Sequence, residues 1–394
     1  MPAPVRLVAQ YFPQFHAIPD NDRWWGPGFT DWVNVKRATA QHPGHYQPRL
    51  PLGANYYDQS TERTVRWQAE LARAHGIAAF CHYHYWFDGT RLLSAPTDMF
   101  LAHKDIQLEF CLAWANETWS RRWDGQEHHI LIAQHHPPTV HSWGRHFDVL
   151  IKSWLDERAL RVDGRPVFLI YRPARIHSLD AMFDYWRSRA HREYGLDGLY
   201  FVAMIQRDFP PWEVLRHFDA AMLFQPFAAT EQLRDPSPEQ PRWRKLAREI
   251  LGRMPLGLRD PIEQAMRWQS RPTRVDYDRV WQQILAWQPD PRLPVFEGAF
   301  VDWDNTPRYQ NRATIYQGAT PEKFERWMYR LMRKAMEQPA RESKQRGERL
   351  VFINAWNEWA ESAYLEPDQR WGMAYLEGLR RALDQARADS PRGH

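Results

Sequence analysis

Two glutamates in the last tenth of the chain have the spacing of an acid–base pair. Glu358 and Glu361 lie three residues apart in the segment AWNEWAES, residues 355–362. If the chain turns helically there, positions i and i+3 share a face, with Cβ atoms about 5–6 Å apart. Carboxyl groups that close do not ionise independently, so one pKa rises and that group can act as an acid. The alternative is two surface carboxylates at the start of a helix, where negative charge is also stabilising.

A third glutamate stands in a related setting. Glu117 follows Asn116 in WANETW, residues 114–119, which repeats the Asn-Glu step of the later segment. Together with Glu358, Glu117 could form a two-carboxylate site with a separation of about 5 Å, the arrangement that retaining glycosidases use. We favour the alternative, in which Glu117 binds substrate beside the reacting pair. We expect Asn116 to bind a sugar hydroxyl next to it.

The segment CHYHYWF, residues 81–87, combines imidazoles with aromatic rings. In a strand, His82, His84 and Trp86 share one face, and Tyr83 and Tyr85 share the other. We expect the first three to recognise hydroxyl groups and to stack on a ring. His-x-His spacing also suits a metal, but no histidine ends a later apolar run, so we expect no metal site.

Other candidates for substrate contact lie at or near the ends of apolar runs. They are Tyr11, Trp114, Arg172, Asp302, Trp303, Asn354 and Trp356. The segment DWDNTPR, residues 302–308, combines a tryptophan, two carboxylates and an arginine, which suits contact with a sugar or a phosphate. Its Thr-Pro step is equally typical of a simple turn.

The composition favours a carbohydrate partner over a nucleotide or a nucleic acid. The 394 residues include 21 Trp, 16 Tyr and 19 Phe, which suits stacking on sugar rings or an aromatic-rich core. The formal net charge of +4 does not require nucleic acid. The sequence has no GxGxxG after a strand, no GxxxxGK[ST], no GxSxG and no paired CxxC. Dinucleotide, P-loop, serine-hydrolase and zinc-finger chemistry therefore have no support, and we expect no cofactor.

The cysteines and the apolar content of the chain bear on disulfide bonds and on the cellular location of the protein. Cys81 and Cys111 fall inside apolar runs and are interpreted as buried free thiols. The first residues have no signal-peptide-like core, and no stretch is apolar enough to cross a bilayer. A cytoplasmic location is the default expectation, and nothing in the sequence indicates the oligomeric state.

Eight short apolar runs are candidates for the strands that position these residues. They alternate with amphipathic helical patterns, which predicts a single-domain (β/α)8 barrel. In that fold the active site lies at the C-terminal ends of the strands, where the polar candidates fall. The runs are 6–13, 77–87, 108–117, 166–173, 199–206, 220–227, 294–305 and 350–359.

Two segments are longer than the loops that a minimal (β/α)8 barrel needs. Residues 14–59 form a long loop after the first run, and residues 228–275 form an insertion after the sixth that is rich in Pro and Arg. Loops of this length are usually lids or binding walls. A helix is predicted over residues 60–76, with Ser60 as its N-cap and Gly76 as its stop.

Several motifs in order resemble one known family. They are YFPQFHAIPDND, WWGPGFTDW, FCHYHYWF, WANETW, WDNTPR and NAWNEWAESAYLEP. Together, over residues 6–383, they are similar to the WbsX-type proteins of bacterial polysaccharide gene clusters, which are related to glycoside hydrolase family 99, the endo-α-1,2-mannosidases and mannanases. The resemblance implies a (β/α)8 barrel with retaining, metal-independent chemistry.

The resemblance also implies roles for the glutamate pair. In these hydrolases the first glutamate, matching Glu358, removes a proton from the sugar 2-hydroxyl, whose oxygen attacks C1 to give a 1,2-anhydro sugar. The second, matching Glu361, protonates the leaving oxygen and then activates water. This geometry implies an α-manno-configured donor, such as mannose or rhamnose in an O-antigen-like glycan. Ala360 and Ser362 replace the His and Gly of the mannosidases, a departure that bears on substrate identity.

Three functional hypotheses follow from the sequence. The first is a glycoside hydrolase or transglycosylase that acts on an oligo- or polysaccharide. WbsX-type proteins are also described as glycosyltransferases of lipopolysaccharide assembly, which is the second. The third is a barrel that binds glycans without catalysis.

Overall fold

Eight parallel strands close into a barrel in the computed structural model, which describes residues 5–123, 126–207, 209–233, 271–288, 292–337 and 349–389. The strand β1 pairs with both β2 and β8, so the sheet has no free edge. The predicted (β/α)8 barrel is confirmed, and each of the eight apolar runs contains one strand. The strands are β1 Val5–Tyr11, β2 Ile77–Phe87, β3 Glu109–Trp114, β4 Arg165–Ile170, β5 Tyr200–Ile205, β6 Ala220–Leu223, β7 Val295–Phe300 and β8 Arg349–Asn354.

The strands divide their side chains between two cores. Residues such as Val8, Cys81 and Phe352 fill the barrel interior, whereas the alternate residues, such as Leu7 and Phe80, pack against the helices. Cys81 and Cys111 are buried free thiols, as predicted. At Gly298 a Cβ atom would lie 1.7 Å from the Leu223 carbonyl oxygen, so the close approach of β6 and β7 requires glycine there.

An outer layer of helices covers the barrel. Their buried faces are apolar at helical spacing, so each helix is stabilised by burying one stripe against the sheet. The main helices are Glu62–Ala74, Ala95–Ala102, Val140–Trp154, Leu179–Tyr194, Tyr277–Ala286, Pro321–Glu337 and Ala374–Ala388, with the shorter Trp212–Leu215 and Phe227–Leu233. None of the described helices is both long enough and apolar enough to span a bilayer.

The N-cap of the first outer helix differs by one residue from the prediction. Thr61, and not Ser60, caps the helix, because its hydroxyl accepts a hydrogen bond from the Thr64 amide. The Ser60 hydroxyl donates instead to Asp58 at 2.6 Å. Adjacent Ser and Thr residues are equivalent caps in sequence, and the preceding Asx turn decides between them.

The loops at the C-terminal end of the barrel carry small elements. Short helices span Pro19–Trp25, Trp32–Arg37 and Thr306–Tyr309. Short strands pair there as Trp119–Arg121 with Gln126–Ile132, Thr273–Asp276 with Thr314–Gln317, and Asn357–Glu358 with Ala363–Tyr364, while Thr90–Leu92 pairs with the end of β2. At the opposite end of the barrel, Arg161–Val162 forms a hairpin with the start of β4. Single 3₁₀ turns occur at Leu52–Ala54, Pro173–Arg175, Gln310–Arg312 and Trp359–Glu361.

The long loop after β1 is fastened to the loop after β7. Arg49 donates to Asp302 at 2.7 Å, and both side chains are buried. His45 and Gln47 each lie 2.7 Å from the same oxygen of Asp304. These buried contacts hold residues 14–59 over the barrel end, where we predicted a binding wall. Most of the other predicted lid, residues 228–275, lies outside the described residues.

Candidate active site

A cavity of about 560 Å³ lies at the C-terminal end of the barrel. Its residues come from the ends of the strands and from the loops that follow them, including the loop after β1. Aromatic rings form much of the wall: Phe12, Trp25, Tyr83, Tyr85, Trp119, Trp123, Tyr171, Phe224, Phe227, Trp303 and Tyr309. Flat apolar walls with a few charged groups suit a ligand that presents both C–H faces and hydroxyls.

A tight hairpin after β8 brings Glu358 and Glu361 to this cavity. Asn357 fixes the start of the hairpin, because its side chain accepts from the Phe12 amide at 2.8 Å and donates to the Phe12 carbonyl at 3.0 Å. Ser362 ends the turn in the left-handed region at φ +58°, and its hydroxyl donates to the Asp304 carbonyl at 3.1 Å. Both glutamates line the cavity.

One guanidinium joins three carboxylates at the cavity floor. The Nη2 atom of Arg308 lies 2.7 Å from Glu358 Oε1 and 2.7 Å from Asp31 Oδ2. The Nη1 atom of the same group lies 2.8 Å from Glu361 Oε1. Because the planar guanidinium fixes the directions of its N–H groups, it sets the two glutamates side by side.

The charges in this cluster do not balance. Burial raises the pKa of Glu358 well above its usual range; Arg308 opposes the rise, and the charges of Glu361 and Asp31 add to it. Burial also raises the pKa of Glu361, again opposed by Arg308 and strengthened by Asp31. One cation beside three carboxylates favours a proton shared by the pair, which equips one member as an acid and the other as a base.

Asp31 was not predicted from the sequence as a site residue. It is wholly buried at the N-terminal end of the helix Trp32–Arg37, and its Oδ1 accepts from the Asn34 side chain at 2.7 Å. It lies behind Arg308 and contributes negative charge without lining the cavity. Its position in the motif WWGPGFTDW was the only sequence signal for it.

Glu117 lies in the same cavity but has a different partner. Its Oε1 accepts from Arg172 Nε at 2.6 Å, and both side chains are about a quarter exposed. Asn116, which was also predicted to contact substrate, does not line the cavity, because its side chain is engaged by the Arg172 backbone through hydrogen bonds of 2.8 and 3.0 Å. The structure thus brings Glu117 and Arg172 to the site, and Asn116 supports them from behind.

The predicted orientation of β2 must be corrected. Tyr83 and Tyr85 line the cavity, whereas His82, His84 and Trp86 point outward against the helices. His82 contacts the Thr97 hydroxyl at 3.1 Å. His84 shares a 3.0 Å hydrogen bond with His146, on whose ring Trp86 stacks at 5.0 Å. Strand periodicity fixes which residues share a face but not which face points inward.

Four other predicted contact residues lie outside the cavity. Tyr11 donates to Gln68 at 2.5 Å in the layer between sheet and helices. Trp114 donates to the Trp86 carbonyl at 3.1 Å, and Trp356 is completely buried. Asp302 is held by Arg49. These side chains stabilise the framework, because they are buried within the protein and do not reach the cavity.

Two predicted residues do line the cavity. Trp303 packs edge-on against Phe227 with ring centroids 4.7 Å apart. Asn354, the last residue of β8, donates to the Gln225 carbonyl at 2.9 Å. Trp25 and Trp123, which sequence reasoning missed, stack at 5.2 Å, and the Arg308 guanidinium lies 5.0 Å from the Trp123 ring. Trp25 and Trp123 lie far apart along the chain, so no local sequence pattern indicates that they stack.

Among the described residues, no group of three or more His, Cys, Asp or Glu side chains is arranged to hold a metal ion.

Solved structures share this fold. The chain superposes on a protein described as glycoside hydrolase-like with a TM-score of 0.56 at 12% identity, over 96% of this chain and 93% of the other. It superposes on the GH99 endo-α-mannosidase from Bacteroides thetaiotaomicron with a TM-score of 0.55 at 13% identity, over 97% of both chains. At such identities the likeness concerns the fold alone.

Sequence relatives define the family. Proteins named WxcX from two strains of Xanthomonas campestris pv. campestris are 37% identical over 393 residues, which is 97% of this chain and 50% of theirs. The chain thus spans about half the length of these relatives. The family described as Glycosyltransferase WbsX matches residues 7–379, so the chain belongs to the WbsX family of carbohydrate-active proteins.

Proposed function

We propose that the chain is a retaining glycoside hydrolase, or a transglycosylase, that cleaves an α-manno-configured glycan. The observation that carries the proposal is the pair Glu358 and Glu361, held side by side on one guanidinium in an aromatic-walled cavity. Raised carboxyl pKa values and a sugar-sized cavity are what glycosidic bond cleavage requires. The GH99 fold neighbour is an endo-α-mannosidase, which supports the same substrate class.

The proposed reaction has two steps. In the first, Glu358 removes the proton from the sugar 2-hydroxyl while O2 attacks C1. The bond from C1 to the leaving oxygen breaks, and Glu361 donates its proton to that oxygen. In the second step, Glu361 takes a proton from water, the water oxygen attacks C1, the C1–O2 bond breaks and Glu358 returns its proton to O2. Two inversions at C1 leave the anomeric configuration retained.

Arg308 and the aromatic walls have supporting roles in this scheme. Arg308 lowers the pKa of both glutamates against the rise that burial causes, which favours a pair with one proton over a pair with two. The rings of Tyr83, Tyr85 and Trp123 offer faces on which the sugar can stack. Replacement of His and Gly by Ala360 and Ser362 leaves the choice between mannose and rhamnose open to experiment.

A substrate analogue whose 2-hydroxyl is blocked by methylation tests the mechanism, because O2 is the proposed nucleophile. We would compare an aryl α-D-mannopyranoside with its 2-O-methyl derivative, and follow release and anomeric configuration by NMR. The proposal expects α-configured product from the first compound and none from the second, because a methylated O2 cannot be deprotonated by Glu358. Equal turnover of both compounds would contradict participation of O2.

Glycosyl transfer is the second candidate, favoured by the description of the family as glycosyltransferases. A transferase needs an activated donor, such as a nucleotide sugar or a polyprenyl-phosphate sugar. A panel of such donors should then raise the melting temperature of the full chain, because a ligand that binds only the folded state stabilises it. No shift with any donor, combined with release of free sugar from glycans, would favour the hydrolase.

A further inference from the structure

The cavity has more cationic than anionic groups among its described lining residues. Five arginines line it, compared with three glutamates. They are Arg122, Arg172, Arg207, Arg308 and Arg312, with Glu117, Glu358 and Glu361. Arg308 and Arg172 bind these glutamates directly. A neutral glycan gives no reason for the additional guanidinium groups.

Arg122 and Arg207 differ from the two paired arginines. Both are exposed at the cavity, and within the described part of the chain no Asp or Glu lies at ion-pair distance from either. The guanidinium of Arg207 lies 4.8 Å from the Phe227 ring centroid. Contact through the face of a guanidinium leaves its N–H donors available at the edge, where they bind carboxylate or phosphate oxygens in pairs.

Electrostatic interactions link Arg207 to Glu361 and Arg122 to Tyr309, which lines the same cavity. Burial raises the pKa of Glu361, while Arg308 and, more weakly, Arg207 lower it. Burial and the charge of Glu361 raise the pKa of Tyr309, while Arg308 and Arg122 lower it. Arg207 therefore acts on Glu361 directly, and Arg122 shares Tyr309 as a neighbour with it. Glu361 is the group that we assign to the leaving oxygen.

The barrel order places the two arginines on one arc of the cavity. Arg122 follows β3, and Arg207 follows β5, with the Glu117–Arg172 pair at the ends of β3 and β4. Arg312, in the loop after β7, donates to the Arg122 carbonyl at 3.2 Å, so the loop after β3 extends to the Arg308 side of the cavity. A ligand in the cavity thus meets positive charge beside Glu361.

We propose that the substrate carries an anionic group, a carboxylate or a phosphate, that Arg122 and Arg207 bind on the leaving-group side of the bond to be cleaved. The inference rests on the proposed function only in that Glu361 defines that side. Two charge-assisted hydrogen-bonded contacts would select acidic glycans, or a phosphate-linked sugar, over neutral ones.

Binding measurements on the full chain test the proposal without requiring turnover. The probes for calorimetric titration are methyl α-D-mannopyranoside, α-D-mannose 1-phosphate, α-D-mannosyl-(1→2)-D-glucuronic acid and inorganic phosphate. We expect at least one acidic sugar to bind about tenfold or more tightly than the neutral one, with the difference falling as salt is raised. Which acidic sugar binds distinguishes phosphate from carboxylate recognition.

A double variant and a matched control test whether Arg122 and Arg207 cause the preference for acidic sugars. Arg122→Gln combined with Arg207→Gln should lower the affinity for the acidic sugar to that for the neutral one and leave the neutral one unchanged. Arg175→Gln, a matched change at an exposed arginine outside the cavity, should alter neither. Equal or no binding of acidic and neutral sugars, or unchanged acidic binding in the double variant, would overturn the proposal.

Two further outcomes separate the anion site from an adventitious ion and from the proposed hydrolase activity. If inorganic phosphate binds as tightly as mannose 1-phosphate, Arg122 and Arg207 hold an adventitious ion only, and the proposal fails. If acidic sugars bind as expected but no glycan is cleaved, the hydrolase proposal fails while the anion site stands. The two proposals therefore fail separately.

Discussion

Two arginine–carboxylate assemblies contribute to the cavity, and they differ in how deeply they are buried. Arg308 serves three carboxylates, and its side chain is 6% exposed, with Asp31, Glu358 and Glu361 at 0%, 7% and 17%. Arg172 serves Glu117, with exposures of 29% and 24%. The first assembly is buried with excess negative charge, whereas the second is an ion pair that is partly open to water.

This difference indicates which carboxyl groups are suited to proton transfer. Burial, strengthened by the charge of Asp31, raises the pKa of Glu358 and of Glu361, which suits carboxyl groups that take up and release protons. A partly hydrated ion pair such as Glu117–Arg172 suits hydrogen bonding to a ligand. The Arg308 cluster therefore supplies the chemistry in our account, and the Glu117–Arg172 pair binds the sugar.

Removal of the Arg308 charge should have the largest effect. Arg308→Met leaves three buried carboxylates without a cation, so Glu358 and Glu361 take up protons and the base is lost near neutral pH. We expect turnover to fall by about 10³-fold and the pH–rate profile to move to higher pH. Breaking a buried ion pair should also lower the unfolding free energy by about 3–5 kcal/mol.

Arg308→Lys is the matched control for charge. The lysine keeps the cation but cannot reach three carboxylates with a planar fork, so partial activity and a nearly normal pH profile are expected. Urea unfolding, followed by fluorescence, separates misfolding from lost chemistry. If folded Arg308→Met protein retains wild-type turnover, the guanidinium does not govern the pair.

Glu366 extends the comparison to a buried carboxyl that has neutral donors and no arginine. It accepts from Tyr57 and Trp359 at 2.7 Å and from Gln68 at 2.6 Å, and burial raises its pKa to about 7 despite these bonds. The folded state thus holds a proton that the unfolded state releases near pH 4.5. Its stabilising contribution is present below that pH and is lost as the pH rises through 7.

Replacement by glutamine should remove this dependence. Between pH 5 and pH 8, wild type should lose roughly 3 kcal/mol of unfolding free energy through this group, and Glu366→Gln should lose correspondingly less. The exposed Glu377→Gln change is the control and should behave as wild type. Parallel pH profiles for wild type and Glu366→Gln in urea unfolding would show that this carboxyl does not hold the proton.

Neutralising Glu117 should have a smaller and different effect. Glu117→Gln releases Arg172 from its ion pair and weakens sugar binding, so KM should rise by about tenfold while kcat stays within a few-fold of wild type. The split between KM and kcat is the readout. A collapse of kcat would instead assign Glu117 a part in the chemistry and favour a pair formed across the barrel.

Asp31→Asn should have the smallest effect among these changes. Loss of one carboxylate from the cluster lowers the pKa of Glu358 and Glu361, since the charge of Asp31 raises both. The pH–rate profile should therefore move to lower pH by about one unit or less, with folding retained. A shift to higher pH, or none, would contradict the charge balance we describe.

Local signals in the sequence identified the framework and the glutamate pair. Each barrel strand lies in an apolar run, and Glu358 and Glu361 lie at and just beyond the end of the last run, so position along the chain was enough. The Arg308 cluster has no local signal, since Asp31 and Glu358 lie 277 and 50 residues from Arg308. The inward face of β2 was also beyond prediction, because Tyr83 and His84 are equally compatible with a buried face.

The central claim is that the Arg308 cluster, and not the Glu117–Arg172 pair, performs the chemistry. The most direct test measures turnover of one α-mannoside by the matched variants Glu358→Gln, Glu361→Gln and Glu117→Gln, after urea unfolding has shown that each is folded. We predict that the first two lose turnover by at least about 10³-fold and that the third retains it. Near wild-type turnover by Glu358→Gln and Glu361→Gln, or loss by Glu117→Gln alone, would contradict the account.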